Sequence, residues 1–211
     1  MTTLPAQMID RWDKRPDPRP GQGTIYWHML MKDQPQVVAL AAEAQQRLAR
    51  FTGLHMTPLD RLHMTTMIAG PAQDFTGDQL DQMIKITDDL LSRTPRITVT
   101  LGEILYHPEA IMLAVKPAQA LMPVRDAVQT ATQAVTGERL DNNPPRWLPH
   151  VTICYSTSAK PAEPIIAALG LQLPGREIQV SAVNLVIQNG PERLWDWHTV
   201  GTVRLPAPAR T

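Results

Sequence analysis

An α+β fold is predicted for this 211-residue chain: two pseudo-symmetric lobes, each an antiparallel sheet with helices on its outer face, meeting at a central cleft. Three observations predict it. First, Leu62-His63-Met64-Thr65-Thr66-Met67-Ile68 and Pro149-His150-Val151-Thr152-Ile153-Cys154-Tyr155 each read as a β-strand carrying a histidine and, two residues on, a threonine. Side chains alternate faces along a strand, so each histidine shares a face with its threonine, while Leu62, Met64, Val151 and Ile153 bury the other. Second, the two histidines are 87 residues apart. Sliding the first half by that interval places Val37 on Val124, Ala41 on Val128, Ala44 on Ala131 and Leu48 on Val135, so two helical faces superpose without a gap. Third, Tyr26 lands on Leu113 and Pro58 on Pro145, so each half reads strand, helix, loop, His-x-Thr strand. Such a duplication has a pseudo-twofold axis, which sets one His/Thr pair on each side of the cleft.

Residues 1–22 form a proline-rich N-terminal arm broken by Pro16, Pro18 and Pro20, expected to be flexible and to lie outside the single two-lobed domain of residues 23–211. Its cluster Arg11, Lys14, Arg15 and Arg19 is read as part of a solvated tail, with contact to phosphate as the alternative. Thr24–Met31 is a strand. Pro35 opens a helix to Phe51 with Val37, Leu40, Ala41, Ala44 and Leu48 on one face. After the first motif strand, Thr76 and Gln79 form a capping box for a helix to Arg93. Ile97–Tyr106 and Ile111–Val115 are an antiparallel pair around His107-Pro108-Glu109-Ala110. A helix from Ala118 to Val135 stops at Gly137, and the loop from Asn142 to Trp147 feeds the second motif strand. Pro161–Leu169 is a short helix. Ile178–Gln188 and Trp195–Leu205 close the chain as a hairpin around Asn189-Gly190.

Twenty basic residues balance twenty acidic ones, without the basic excess of proteins that track long nucleic acids. A nucleic-acid partner is therefore an RNA end, a short oligonucleotide or a mononucleotide. The single cysteine, Cys154, excludes an intrachain disulfide or a multi-cysteine metal site and reads as a buried, inert thiol. No apolar run is long enough to span a membrane and no signal-peptide pattern opens the chain, so a cytoplasmic monomer without an obligate protein partner is expected.

Three His-x-Thr triplets occur, and His55-Met56-Thr57 is the decoy: Pro58 follows it directly, and it lies between a helix and a strand, as a loop residue would. The other two, each in an apolar strand and in register under the 87-residue shift, suit chemistry at phosphorus. In-line displacement needs a base on one side and an acid on the other, and histidine serves in either role near neutral pH. The Thr65 and Thr152 hydroxyls can donate to non-bridging oxygens. Arg61 shares strand parity with His63 and Arg146 precedes the second motif; each is a candidate cation. Tyr26, Trp27, Trp147 and Tyr155 lie near the motif strands as candidate base-stacking residues, Trp147 foremost with packing between lobes as its alternative, and His28 sits on a strand that borders the cleft. Neither motif histidine has a carboxylate or second histidine at metal-ligand spacing, so no metal and no cofactor is expected.

The pair Leu62-His63-Met64-Thr65 and Pro149-His150-Val151-Thr152 resembles the 2H phosphoesterase superfamily, in its bacterial 2′-5′ RNA ligase and 2′,3′-cyclic phosphodiesterase branch. The likeness runs from Thr24 to Leu205 and includes the strand and helix before each motif, Pro149 before the second histidine, and the final hairpin. The proline-rich arm departs from the compact members. The resemblance implies metal-independent opening of a 2′,3′-cyclic phosphate or attack on a 2′-5′ phosphodiester in RNA ends or cyclic nucleotides, reversible as ligation, with His63 the proton donor and His150 the acceptor. Two other readings compete: a module that binds a nucleotide or RNA end without turnover, and a metallohydrolase using the histidines as ligands.

Overall fold

Proline and threonine set the helix starts. The computed structural model describes residues 4–15, 17–19, 22–137 and 147–207. Pro35 stands at the first turn of α1 (Pro35–Leu48), Pro123 at that of α3 (Met122–Thr136) and Pro164 at that of α4 (Glu163–Leu169), where a missing N–H costs nothing. α2 (Gly77–Leu91) opens on the expected capping box: Thr76 Oγ1 accepts from the Gln79 N–H at 3.3 Å, and Gln79 Oε1 accepts from the Thr76 N–H at 2.8 Å. α3 ends at Gly137, whose φ of +70° lets its N–H reach back to the Gln133 carbonyl at 2.9 Å. The segment Ala118–Leu121, read from sequence as the start of α3, is a separate 3-10 turn.

The strands are β1 (Gln7–Met8), β2 (Gly23–Leu30), β3 (Leu54–Met56), β4 (His63–Pro71), β5 (Ile97–His107), β6 (Ala110–Lys116), β7 (His150–Ser156), β8 (Lys160–Pro161), β9 (Gln172–Val180), β10 (Ala182–Asn189) and β11 (Trp197–Arg204). They form a four-stranded sheet in the order β11-β10-β2-β4, a five-stranded sheet in the order β3-β7-β6-β5-β9, and the small pair β1-β8, all antiparallel. The 87-residue shift maps β2 onto β6, α1 onto α3 and β4 onto β7, and the buried faces of α1 (Val37, Leu40, Ala41, Ala44) and α3 (Val124, Ala127, Val128, Ala131) coincide.

The spatial lobes are not the sequence halves. β10, from the second half, pairs with β2 in the first sheet, and its counterpart β5, from the first half, pairs with β6 in the second. The helices cross over as well: α1 packs on β7, β9 and α4, whereas α3 packs on β4 and α2, and α2 on β11. Both halves are thus needed to close either lobe. The core is rich in methionine, with Met8, Met29, Met31, Met64, Met67 and Met83 buried, as expected of a chain in which only 5% of residues are aromatic. Trp27 is fully buried beneath α3, and its Nε1–H donates to Thr132 Oγ1 at 3.2 Å. No described helix is long and apolar enough to cross a membrane.

Two expectations are corrected here. Ile178–Gln188 is not one strand: Ser181 separates β9 from β10, which lie in different sheets, and Pro174 and Gly175 conceal β9 by breaking its sequence pattern at an edge that tolerates them. The connection to β11 is correspondingly longer than a tight Asn189-Gly190 turn, running through a 3-10 turn at Glu192–Leu194. The arm, expected as a solvated tail, is docked over residues 6–12. Gln7 and Met8 pair with Pro161 and Lys160, the Ile9 N–H donates to the Pro108 carbonyl at 2.9 Å, and the Arg11 N–H donates to the Ser156 carbonyl at 3.0 Å. The docked stretch itself contains no proline, and Met8 supplies its buried anchor.

Thr132→Val keeps the volume but leaves the buried Trp27 indole N–H without an acceptor. Urea unfolding should show a loss of about 1–3 kcal/mol. An unchanged midpoint and slope would remove this bond from the account of how β2 is tied to α3.

Candidate active site

A bulge after each motif threonine shapes the site. On β4 the residues facing Trp27 and His28 of β2 are Met67 and Thr65, so Thr66 is the extra residue. On β7 those facing Ile111 and Met112 of β6 are Cys154 and Thr152, so Ile153 is the extra residue, 87 positions after Thr66. Each bulge reverses the alternation downstream. The residue five beyond each histidine, Ile68 or Tyr155, therefore returns to the face of His63 and Thr65, or of His150 and Thr152. Strict alternation from the histidine would put both on the wrong side.

The result is a cleft of about 420 Å³ lined by Arg11, Arg15, Tyr26, His63, Thr65, Ile68, His150, Thr152, Tyr155 and Glu192. Both His/Thr pairs and Tyr26 come together there, as expected. The two imidazoles are held alike: His63 Nδ1–H donates to the Arg61 carbonyl at 2.8 Å, and His150 Nδ1–H to the Leu148 carbonyl at 2.7 Å. A carbonyl can only accept, so the proton of each neutral ring sits on Nδ1, and Nε2 is left as the working nitrogen in both. β4 and β7 pack together across the seam between the sheets.

The electrostatics break this symmetry. Burial lowers both histidine pKa values below the ordinary 6.5. Glu192 opposes that shift at His63, whereas Arg11 adds to it at His150. The charged neighbours of the two rings are thus of opposite sign. Tyr26 is pushed up to about 12, chiefly by burial and then by Glu192, so its hydroxyl stays neutral. Burial pushes the Cys154 thiol up to about 12, consistent with an inert cysteine.

The remaining expected residues lie behind or beside the cleft. His28 is buried against His63, ring centroids 4.3 Å apart, and backs that imidazole instead of facing the opening. Arg61 gives its carbonyl to His63 but turns its guanidinium to the Trp197 carbonyl at 3.3 Å and to Asp60. Trp147 does not stack in the cleft: its Nε1–H donates to the Thr65 carbonyl at 3.2 Å, tying the approach to β7 onto β4, while Arg125 covers its ring. Arg146 falls outside the described residues. His55, expected in a loop, instead sits on the short strand β3 opposite Tyr155, stacked on Trp195 at 4.7 Å, with Nε2–H donating to the Arg193 carbonyl at 2.9 Å. It braces the connection that carries Glu192. Ile68 and Glu192 went unassigned in the sequence because they lie beyond a bulge and on a long turn, whereas Arg11 and Arg15, read chiefly as part of a solvated tail, line the cleft from the arm.

Two outcomes follow. Trp147→Phe removes the bond across the seam and should lower kcat by roughly tenfold or more through misplacement of the two histidines, with little change in base preference. A mere rise in KM that differs between bases would point to stacking instead. Second, His28 is buried with its pKa well below 6.5, mainly by burial and then by the nearby His63. The unfolded chain takes up its proton near pH 6.5 and the folded chain does not, so this contribution is present above pH 6.5 and is lost as pH falls. Thermal midpoints should drop between about pH 7 and about pH 5, and less steeply in His28→Phe; parallel slopes would exclude His28 as the source.

A family model described as the 2′-5′ RNA ligase superfamily matches residues 32–192. No curated protein sequence matches the chain significantly. Among solved structures, the chain is similar to TT0787 of Thermus thermophilus, with a TM-score of 0.66 at 15% identity over 88% of this chain and 100% of that one. It is similar to E. coli LigT complexed with 3′-AMP, with a TM-score of 0.63 at 13% identity over 87% and 98% of the two chains. The MHV ns2 PDE domain follows with a TM-score of 0.53 at 12% identity over 77% and 96%. At such identities the structural likeness speaks for the fold, while the family model spans most of the sequence, both His-x-Thr strands included. The chain belongs to the 2′-5′ RNA ligase superfamily, the 2H phosphoesterases.

Proposed function

We propose that the protein is a metal-independent phosphodiesterase that opens 2′,3′-cyclic phosphates or cleaves 2′-5′ phosphodiesters at the ends of RNA or in small nucleotides. The observation that carries this reading is the pair of imidazoles, one on each motif strand, each locked through Nδ1 and lining one cleft with a threonine beside it. In hydrolysis, His150 Nε2 takes the proton of the attacking water as its oxygen bonds to phosphorus. His63 Nε2–H gives its proton to the departing ribose oxygen as the P–O bond breaks. Thr65 and Thr152 donate to the non-bridging oxygens, whose charge rises in the transition state. The two proton roles are filled by side chains, so no metal enters the scheme. Run in reverse, with the histidines exchanging roles, the same steps join a 2′-5′ bond.

The placement of Glu192 near His63 and Arg11 near His150 supports this assignment of donor and acceptor. The cleft volume suits a nucleotide, with Tyr26, Ile68 and Tyr155 as apolar walls for the nucleoside. E. coli LigT, of the same fold, was solved with 3′-AMP, ATP, NADP+ and phosphate.

Two measurements test the reading. With 2′,3′-cyclic nucleotides and 2′-5′ dinucleotides in the presence of chelator, wild type should turn over, and His63→Ala or His150→Ala should each lose on the order of 100- to 10,000-fold in kcat. Binding without turnover, or activity that requires a divalent ion, would sink the proposal. The pH profile of kcat/KM should be bell-shaped with its optimum on the acid side of 6.5, because both free-enzyme histidines are shifted down and one must be protonated while the other is not. An optimum well above neutrality would contradict it.

A further inference from the structure

We propose that Arg11, delivered by the docked N-terminal arm, holds a non-bridging oxygen of the substrate's phosphoryl group, so that the arm is part of the active site; this rests on the phosphodiester reading of the cleft. Apart from the imidazoles, the ionised groups lining the cleft among the described residues are Arg11, Arg15 and Glu192. A phosphodiester enters with a negative charge that Glu192 alone would repel, and displacement concentrates further charge on its oxygens. Threonine hydroxyls supply hydrogen bonds but no net charge. Beyond the imidazolium that His63 becomes when it carries the acid proton, the described strands and helices of the two lobes place no permanent cation at this cleft. Both arginines come from the arm.

Arg11 is the better placed of the two. Its backbone N–H donates to the carbonyl of Ser156, the last residue of the strand that carries His150 and Thr152. Its guanidinium lies over the Tyr155 ring, 4.3 Å from the centroid, and Tyr155 is the residue that the β7 bulge turns into the cleft. Glu192 accepts from Nε at 3.1 Å and from Nη2 at 2.8 and 2.9 Å, and Glu109 accepts from Nη1 at 3.3 Å. Held on a ring face and by two carboxylates, the planar fork is preorganised beside the cleft, with little conformational freedom left to lose when an anion arrives. Arg15 is half-exposed and rests on Glu109 at 2.7 Å and on the Arg11 carbonyl at 3.1 Å, a looser outer position. The arm is fastened on either side of Arg11. Met8 is fully buried, and Trp12 packs edge-on to His55 and Tyr155 with centroids 5.5 Å from each.

The test compares wild type, Arg11→Gln, Arg11→Lys and the double variant Arg11→Gln/Glu192→Gln. Turnover of a 2′,3′-cyclic nucleotide is read beside calorimetric binding of inorganic phosphate, and thermal midpoints confirm folding. The expected result is a loss in kcat/KM on the order of 100-fold for Arg11→Gln, partial recovery in Arg11→Lys, and no recovery in the double variant. Phosphate affinity should fall about tenfold or more in Arg11→Gln. Recovery of wild-type kcat/KM in the double variant would overturn the proposal, since Arg11 would then serve only to neutralise Glu192. Equal phosphate binding by wild type and Arg11→Gln would overturn it too. If wild type turns over no cyclic phosphate, the phosphodiesterase reading fails by itself, and phosphate binding still decides whether Arg11 holds an anion.

Discussion

The seam between β4 and β7 is the constraint on which the rest of this molecule depends. The two motif strands belong to different sheets and share no ladder, yet their histidines line one cleft. Nothing local to either strand enforces that. It follows from the exchange of β5 and β10 between the halves and from the crossing of α1 and α3, which make each lobe a joint product of both repeats. The Trp147 indole bond to the Thr65 carbonyl then links the strands directly. A repeat that folded on its own would present half a site.

Within that frame, symmetry and asymmetry do different jobs. The Nδ1 bonds to carbonyls two residues upstream, and the bulges after each threonine, recur on both sides because each is a backbone property inherited by both repeats. The electrostatic surroundings of the two rings, however, are not identical: Glu192 raises the pKa of His63 and Arg11 lowers that of His150, each beside the larger lowering by burial. The difference comes from elements outside the repeat, namely the β10–β11 connection with Glu192 and the arm with Arg11. These two residues are also bonded to each other, at 2.8 Å.

His55 shows how a motif is judged by its setting. By sequence its triplet equals the other two. Its strand, β3, is a three-residue edge, and its ring is spent on Trp195 and the Arg193 carbonyl. Trp195 adopts a left-handed φ of 47°, unusual for a bulky side chain, and the stack on His55 helps to hold it there. The third triplet therefore acts at a distance, bracing the turn that brings Glu192 to the cleft.

The sequence by itself determined the α+β class, the helices and their buried faces, the two motif strands, the 87-residue correspondence between halves, and the four residues His63, Thr65, His150 and Thr152. These are legible because apolar period, caps and strand alternation are local, and because duplication writes the same local signals twice. Only the tertiary structure decided which half each strand would serve, that Ser181 splits an apparent single strand between two sheets, that Trp147, Arg61 and His28 support the cleft without lining it, and that Tyr155 and Arg11 do line it. Those outcomes turn on one-residue bulges and on contacts between segments up to 181 residues apart, as in the Arg11–Glu192 pair. No period or spacing in the chain encodes such a contact. It appears only when the arm, the motif strand and the last connection are folded against one another.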